Sequence, residues 1–340
     1  MGDIAVTVLM SVYNDEKFLR GGIESILNQT FTNFEFLIIN DASTDSTSAI
    51  LQEYARKDSR VRVLNNENNM GLTVSLNNGL NSALGKYIAR LDSDDISLKQ
   101  RLERQVNFLD KHPKIGVLGS GAEIIDVDGN ITGKFTPSTS PAVIRWRLLF
   151  GNCMLHSTVM FRRDIVLQAG GYPSDCFIAQ DYDLWSRLMF KTDICQLPDT
   201  LVNYRQNTNA ISIKNFDKQA ETSIRVVHRN MTNFFDMELP LDIVKALCDS
   251  YNVRRHFPLS NGDTIRQASQ LIMEFSQKYF ERYNLTKKDR REIERDVVKK
   301  LLALSRANAG VFPIESIITL YRAFMFRQYA MIRRFSGFQS

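Results

Sequence analysis

Three carboxylates, Asp92, Asp94 and Asp95, crowd into four residues where the apolar run of "YIARLDSDDI" ends. Like charges this close resist burial unless a cation or water offsets them. In one reading Asp92 and Asp94 face a Mg2+ or Mn2+ that bridges a diphosphate, since hard oxygen ligands with positions left open for phosphate suit those ions. The plainer reading is a solvated turn in which Asp95 caps the helical pattern "ISLKQRLERQVNFL". "NDASTD" (40–45) offers Asp41 as an acceptor for a nucleobase or ribose, or as a turn opener with Ser43 or Asp45 capping the next helix. Tyr13 either stacks on such a base or fills the core, and Asn69 and Gly71 in "NNMGL" also suit a helix entry. In "AQDYDLWSRL" (179–188), Asp181 is placed either as a general base beside a reacting sugar or as a carboxylate favoured by a helix dipole. His156 in "GNCMLHSTVMFRR" reads by default as a structural histidine.

The surrounding elements explain why these clusters should meet. "IAVTVLMSV", "FEFLIIN", "VRVLNN" and "YIARLD" read as strands, with helical patterns over about 16–29, 46–57 and 71–84 between them. Such β-α repeats predict a parallel sheet with helices on both faces. Ligands in these sheets bind beyond the carboxyl ends of the strands. "YND" (13–15), "NDASTD" and "DSDD" (92–95) all fall at those ends. Residues 115–205 carry short strands and turns such as "DVDGN", the pattern of a mixed, partly antiparallel half. From about residue 215 helical periodicity dominates. The expected division is a catalytic region over 1–213, with halves 1–120 and 121–213, and a helical region over 214–340.

Composition narrows the class. Apolar residues at 44% and charged residues at 24% of 340 are ordinary for a globular chain. A net charge of +5 is far below that of a dedicated nucleic-acid binder, and no nucleic-acid partner is expected. The four cysteines, Cys153, Cys176, Cys195 and Cys248, form no CxxC pair, which favours a reducing compartment. "MGDIAVTVLMSVYN" reads as a buried strand rather than a leader, and Val6 stands where a myristoylation signal needs Ser or Thr. No run reaches the ~20 apolar residues of a membrane span, so the expected location is the cytoplasm, with the inner face of the membrane as a further option. "GLNSALGKY" misses a P-loop by one residue, and "GSGAEI" lacks the last glycine of a dinucleotide fingerprint.

Taken in order, "VLMSVYNDEKFLRGGIESILNQTF", "FEFLIINDASTDST", "YIARLDSDDI" and "AGGYPSDCFIAQDYDLW" resemble the motifs of a family 2 glycosyltransferase, over about residues 4–205. The resemblance implies an α/β GT-A fold, a mixed sheet flanked by helices, here with a C-terminal all-helical extension. It implies inverting transfer from a UDP-sugar to a glycan or lipid-linked glycan, in the synthesis of bacterial surface polysaccharide, with Mn2+ or Mg2+. Residue by residue, Val12 (through its backbone), Tyr13 and Glu16 would border the nucleotide and Asp41 would take the uracil edge. Asn69 and Arg90 would line the donor site, Asp92 and Ser93 would meet ribose and phosphates, Asp94 with Asp92 would hold the metal, and Asp181 would be the base. Gln180 stands where the family usually has Glu, and Leu76 where many relatives have Arg. The Q-x-x-R-W motif of processive synthases is absent, which implies one sugar per cycle. A nucleotidyltransferase, a non-catalytic sugar-binding protein and a membrane-surface scaffold are the alternatives.

The C-terminal pattern "IESIITLYRAFMFRQYAMIRRF" gathers Ile317, Leu320, Tyr321 and Phe324 on one half of a helix and Arg322, Arg327, Arg333 and Arg334 on the other. Either the apolar half docks on the protein, or the helix lies on anionic lipid.

Overall fold

In the computed structural model the described residues are 3–174, 178–206, 216–251 and 261–336. Cys176 lies outside them; Cys153, Cys195 and Cys248 are free thiols. The chain divides into two compact units, Met1–Pro141 with Cys153–Gln219, and Ala142–Asn152 with Ala220–Ser340.

The first unit is built on a nine-stranded sheet. β1 (Val6–Val12) and β2 (Phe34–Asn40) are apolar almost throughout and buried on both faces, as parallel strands covered by helices must be. β3 (Val61–Asn65) and β4 (Tyr87–Arg90) complete the parallel half in the order β3-β2-β1-β4. Beyond β4 the sheet turns mixed. β8 (Met160–Arg162) runs antiparallel to β4 and to β6 (Ile115–Ile125), and β6 runs parallel to β9 (Asp193–Arg205). β5 (Ile96–Ser97) closes the order on β9, and β7 (Ile131–Phe135) pairs with β6. The helices between the parallel strands are α1 (Leu19–Leu27), α2 (Thr47–Lys57) and α3 (Leu72–Ser82).

The helix expected from Ile96 starts later. Ile96 and Ser97 pair with Asn203 and Val202, and Leu98 N–H donates to Leu201 O, so this stretch is a short strand. Helix α4 begins only at Arg101 (Arg101–Lys111), and Asp95 caps nothing. Gly22 lets α1 approach the same segment: a Cβ there would sit 2.6 Å from the Ser93 carbonyl oxygen.

The second unit is helical: α5 (Pro141–Leu148), α8 (Phe216–Phe235), α9 (Leu241–Tyr251), α10 (Gly262–Arg282), α11 (Lys287–Asn308) and α12 (Pro313–Ser336), while α6 (Arg163–Gln168) and α7 (Gln180–Leu188) belong to the first. The sequence pattern did not signal that residues 142–152 join this unit. Trp146 packs edge-on against Phe150 and Tyr279, Tyr279 donates to Ala142 O at 2.7 Å, and Arg147 Nε meets Asp296 at 2.6 Å. Thr286 and Asp289 form a reciprocal capping box that starts α11.

Helix α12 packs through its small residues. Ser316, Thr319 and Ala323 are buried, whereas Ile317 (66%), Leu320 (50%) and Phe324 (56%) are exposed. The described part of its apolar half therefore faces outward, the reverse of a docked amphipathic helix. Arg322, from the other half, donates to Arg266 O at 2.5 Å. The side chains of 328–336, including Arg333 and Arg334, lie outside the described residues.

Candidate active site

β4 delivers the carboxylate cluster to the end of the parallel half-sheet. Arg90, fully buried, binds Asp92 Oδ1 from behind. Ser157 Oγ donates to Asp92 Oδ2 at 2.9 Å and accepts from Asp92 N–H at 3.0 Å. Burial would raise the Asp92 carboxyl, but Arg90 and the Ser157 hydroxyl outweigh it and hold Asp92 below the usual carboxylate range. Asp94 goes the other way: burial, then repulsion from Asp92 and Asp15, push it up to about 7. Asp95, 1% exposed, is also raised, by burial and by repulsion from Asp92 and Asp94; its Oδ1 takes Arg205 N–H at 2.7 Å. Asp15 is raised by burial despite the Ser93 hydroxyl at 2.6 Å. Asp94 differs from Asp92 and Asp15 in one respect: no side chain among the described residues hydrogen-bonds its carboxylate.

Two loops are stitched beside this cluster. Asn14, at φ 50°, accepts from Thr44 N–H at 2.8 Å, and its own N–H donates to Ser43 Oγ at 3.1 Å. Glu16 Oε2 accepts from Ser46 N–H at 3.0 Å, and Thr47 Oγ1 accepts from Asp15 N–H at 3.1 Å. Asp41, 3% exposed, takes Asn66 Nδ2 at 2.7 Å and the N–H groups of Met70 and Gly71 at 2.8 Å each, so it fastens the 66–71 loop. The Val12 carbonyl accepts from Asp41 N–H at 2.9 Å. Tyr13, 48% exposed, and Asn69 stand at the open side.

Asp181 sits in the first turn of α7, after Ala179 in the left-handed region. Tyr172 and Tyr204 are both raised by burial, and both also feel the charges of Asp181 and Asp92. The candidate base and the DSDD cluster thus both lie within electrostatic range of the same pair of phenols. His156 Nε2 lies 2.9 Å from Tyr172 Oη; burial and Arg90 pull the imidazole down to about 3, so it is neutral. Asp183 serves the structure: it pairs with Arg187 at 2.7 Å, and Arg187 donates to Gly171 O at 2.7 Å.

The family model described as "Glycosyl transferase family 2" matches residues 7–168. A putative glycosyltransferase, EpsE of Bacillus subtilis, is 36% identical over 65% of this chain and 80% of its own length. The chain belongs to glycosyl transferase family 2. Among its relatives is WfgD of Escherichia coli, a UDP-Glc:alpha-D-GlcNAc-diphosphoundecaprenol beta-1,3-glucosyltransferase, 32% identical over 64% of this chain and 83% of its own. S. aureus TarS, solved with UDP-GlcNAc, shares the fold at TM-score 0.59 and 19% identity, over 95% of this chain and 92% of that one. The mannosyltransferase PcManGT of Pyrobaculum calidifontis, solved with GDP-Man and Mn2+, aligns at TM-score 0.54 and 16% identity, over 96% and 86%. The fold is GT-A, as expected.

Within this family 2 chain three expected donor-site residues bond to the protein itself, Arg90 and Asp41 buried and Glu16 exposed. Arg90 has no exposed surface to line a cleft and acts through Asp92. Glu16 caps the segment leading into α2, and Asp41 spends three acceptor positions on its own loop. The sequence reading missed Asp15, Ser157, Tyr172 and Arg205. Arg205 donates from Nε to Asp94 O at 2.9 Å and from Nη1 to Asp126 O at 2.7 Å, clamping the acidic loop from the far strand. Among the described residues no three His, Cys, Asp or Glu side chains are grouped to hold a metal alone. Nucleotide-bound Mg2+ or Mn2+ needs fewer protein ligands, because substrate phosphates and water complete the shell. The unbonded Asp94 carboxylate beside an ionised Asp92 fits that role.

Proposed function

We propose that this glycosyltransferase moves one sugar from a UDP-sugar to an acceptor hydroxyl with inversion, in the assembly of a bacterial surface polysaccharide such as O-antigen, capsule or exopolysaccharide. The observation that carries the reading is the acidic cluster at the end of β4, where Arg90 and Ser157 hold Asp92 and no side chain among the described residues hydrogen-bonds the Asp94 carboxylate. Asp181, in the first turn of α7 in the same unit, is the candidate proton acceptor. Asp181 takes the proton of the acceptor hydroxyl as that oxygen attacks the anomeric carbon. The nucleotide leaves from the opposite face, through an oxocarbenium-like transition state of the kind seen in glycoside hydrolysis, so an α-linked donor gives a β-glycoside. Asp94, with Asp92, would hold Mn2+ or Mg2+, which when bound stabilises charge on the departing diphosphate. Arg90 and Ser157 keep Asp92 ionised and oriented. Tyr13 is exposed enough to stack on the base.

The acceptor is a glycan, and a lipid-linked one is favoured by the name of WfgD and by α12, whose outward Ile317, Leu320 and Phe324 suit an anionic membrane at the inner face of the cell. No helix among the described residues is long and apolar enough to cross a membrane. A screen of nucleotide-sugars for acceptor-stimulated UDP release, with and without Mn2+, tests the reading. Release of pyrophosphate instead would mark a nucleotidyltransferase.

A further inference from the structure

Helix α11 spends its acidic residues within its own unit. Asp289 closes the capping box with Thr286, Glu294 meets Arg290 at 3.4 Å, and Glu292 and Asp296 hold Arg147 at 3.1 and 2.6 Å. Its outward cations have no such partners. Lys287, Lys288, Arg291, Arg295 and Lys299 are all exposed, and none is paired with a carboxylate among the described residues. The spacing places Lys288, Arg291, Arg295 and Lys299 along one face. With Arg147 these five line a cavity of about 590 Å³ whose other walls are Glu292 and Asp296.

A cavity with six cations against two carboxylates selects a polyanion. Its arginines offer the planar fork that matches phosphate oxygens. No aromatic side chain lines it, so the stacking platform of a single-stranded nucleic-acid site is missing. From Lys287 to Lys299 the helix rises about 18 Å at ~1.5 Å per residue, longer than one soluble phosphate or diphosphate can span. A row of headgroups would engage that whole length. The same unit carries α12 with Ile314, Ile317, Leu320, Tyr321 and Phe324 exposed, apolar surface that a bilayer would cover.

We propose that the α11 cavity is a phosphate-binding surface that seats the headgroups of anionic lipids. This extends the membrane contact inferred from α12 to a second element, independent of the sugar-transfer chemistry. The test is co-sedimentation of the full chain with phosphatidylcholine vesicles lacking or containing phosphatidylglycerol. The wild type should bind only the anionic vesicles and be released by salt. Combining Lys288→Gln, Arg291→Gln, Arg295→Gln and Lys299→Gln should weaken that binding about a hundredfold or more, as the loss of four near-surface cations implies. Circular dichroism and UDP-sugar hydrolysis should be unchanged, and each adjacent pair of substitutions alone should give a smaller loss. Ile317→Ser with Phe324→Ser should lower binding while keeping the preference for phosphatidylglycerol, which separates the two elements. Inorganic pyrophosphate and single-stranded DNA form the remaining arms. Equal vesicle binding by wild type and quadruple variant would overturn the proposal, as would tight saturable binding of pyrophosphate or DNA with none to vesicles.

Discussion

Ser157 holds Asp92 at two points, donating to Oδ2 at 2.9 Å and accepting from the Asp92 N–H at 3.0 Å. The first aspartate of the acidic cluster is thus fixed by a residue 65 positions away, in the 3-10 turn before β8. Ser157→Ala leaves the partly buried Asp92 N–H and a carboxylate oxygen short of a partner. It should cost about 1–3 kcal/mol of stability and raise the Kd for nucleotide. Urea unfolding and a UDP titration measure both; no change in either would remove Ser157 from the site.

Asp41 tests whether a buried carboxylate can serve its own loop before any ligand. Asp41→Ala frees the N–H groups of Met70 and Gly71 and the Asn66 amide. Amide exchange at Met70 and Gly71 should speed sharply, with about 1–3 kcal/mol lost per unsatisfied buried group at most. Unchanged exchange alongside lost UDP affinity would instead give Asp41 a purely ligand-facing role.

His156 makes stability depend on pH. Its pKa is pulled from 6.5 to about 3 in the folded chain by burial and Arg90, so below 6.5 the unfolded chain binds a proton that the native chain refuses. This contribution to stability is whole above 6.5 and is lost as pH falls from there toward 3. His156→Gln should flatten the slope of unfolding free energy against pH in that window. An identical slope in the variant would contradict the neutral, buried assignment.

How far the sequence reached can be seen residue by residue. Asp92, Asp94 and Asp181 were readable because carboxylates at a strand end and a helix start stand out against apolar neighbours. The parallel order of the first strands followed from their spacing with helices. Arg205 was not readable, since its contact with Asp94 spans 111 positions and only the β5–β9 pairing brings the two together. Asp95 looked like a cap because local pattern shows a carboxylate before a helix; tertiary pairing of Ile96 and Ser97 with β9 overrode it. α12 carried a clear apolar half, yet periodicity cannot say whether that half faces in or out.

Asp181 separates binding from chemistry. Asp181→Asn should keep UDP affinity and lower transfer at saturating substrates by roughly 10²–10⁴-fold, the range of a lost general base. A collapse of UDP affinity with turnover intact would make Asp181 a binding residue.

Acceptor-dependent UDP release by Asp94→Ala beside the wild type, each in Mn2+ and in EDTA, tests the metal-assisted transfer most directly. Asp94 is repelled by Asp92 and Asp15, so its removal should leave the melting temperature equal or higher. Release is expected from the wild type in Mn2+ alone, with none above background in the other three samples. Full release by Asp94→Ala, or by the wild type in EDTA, would contradict the assignment of Asp94 to the metal.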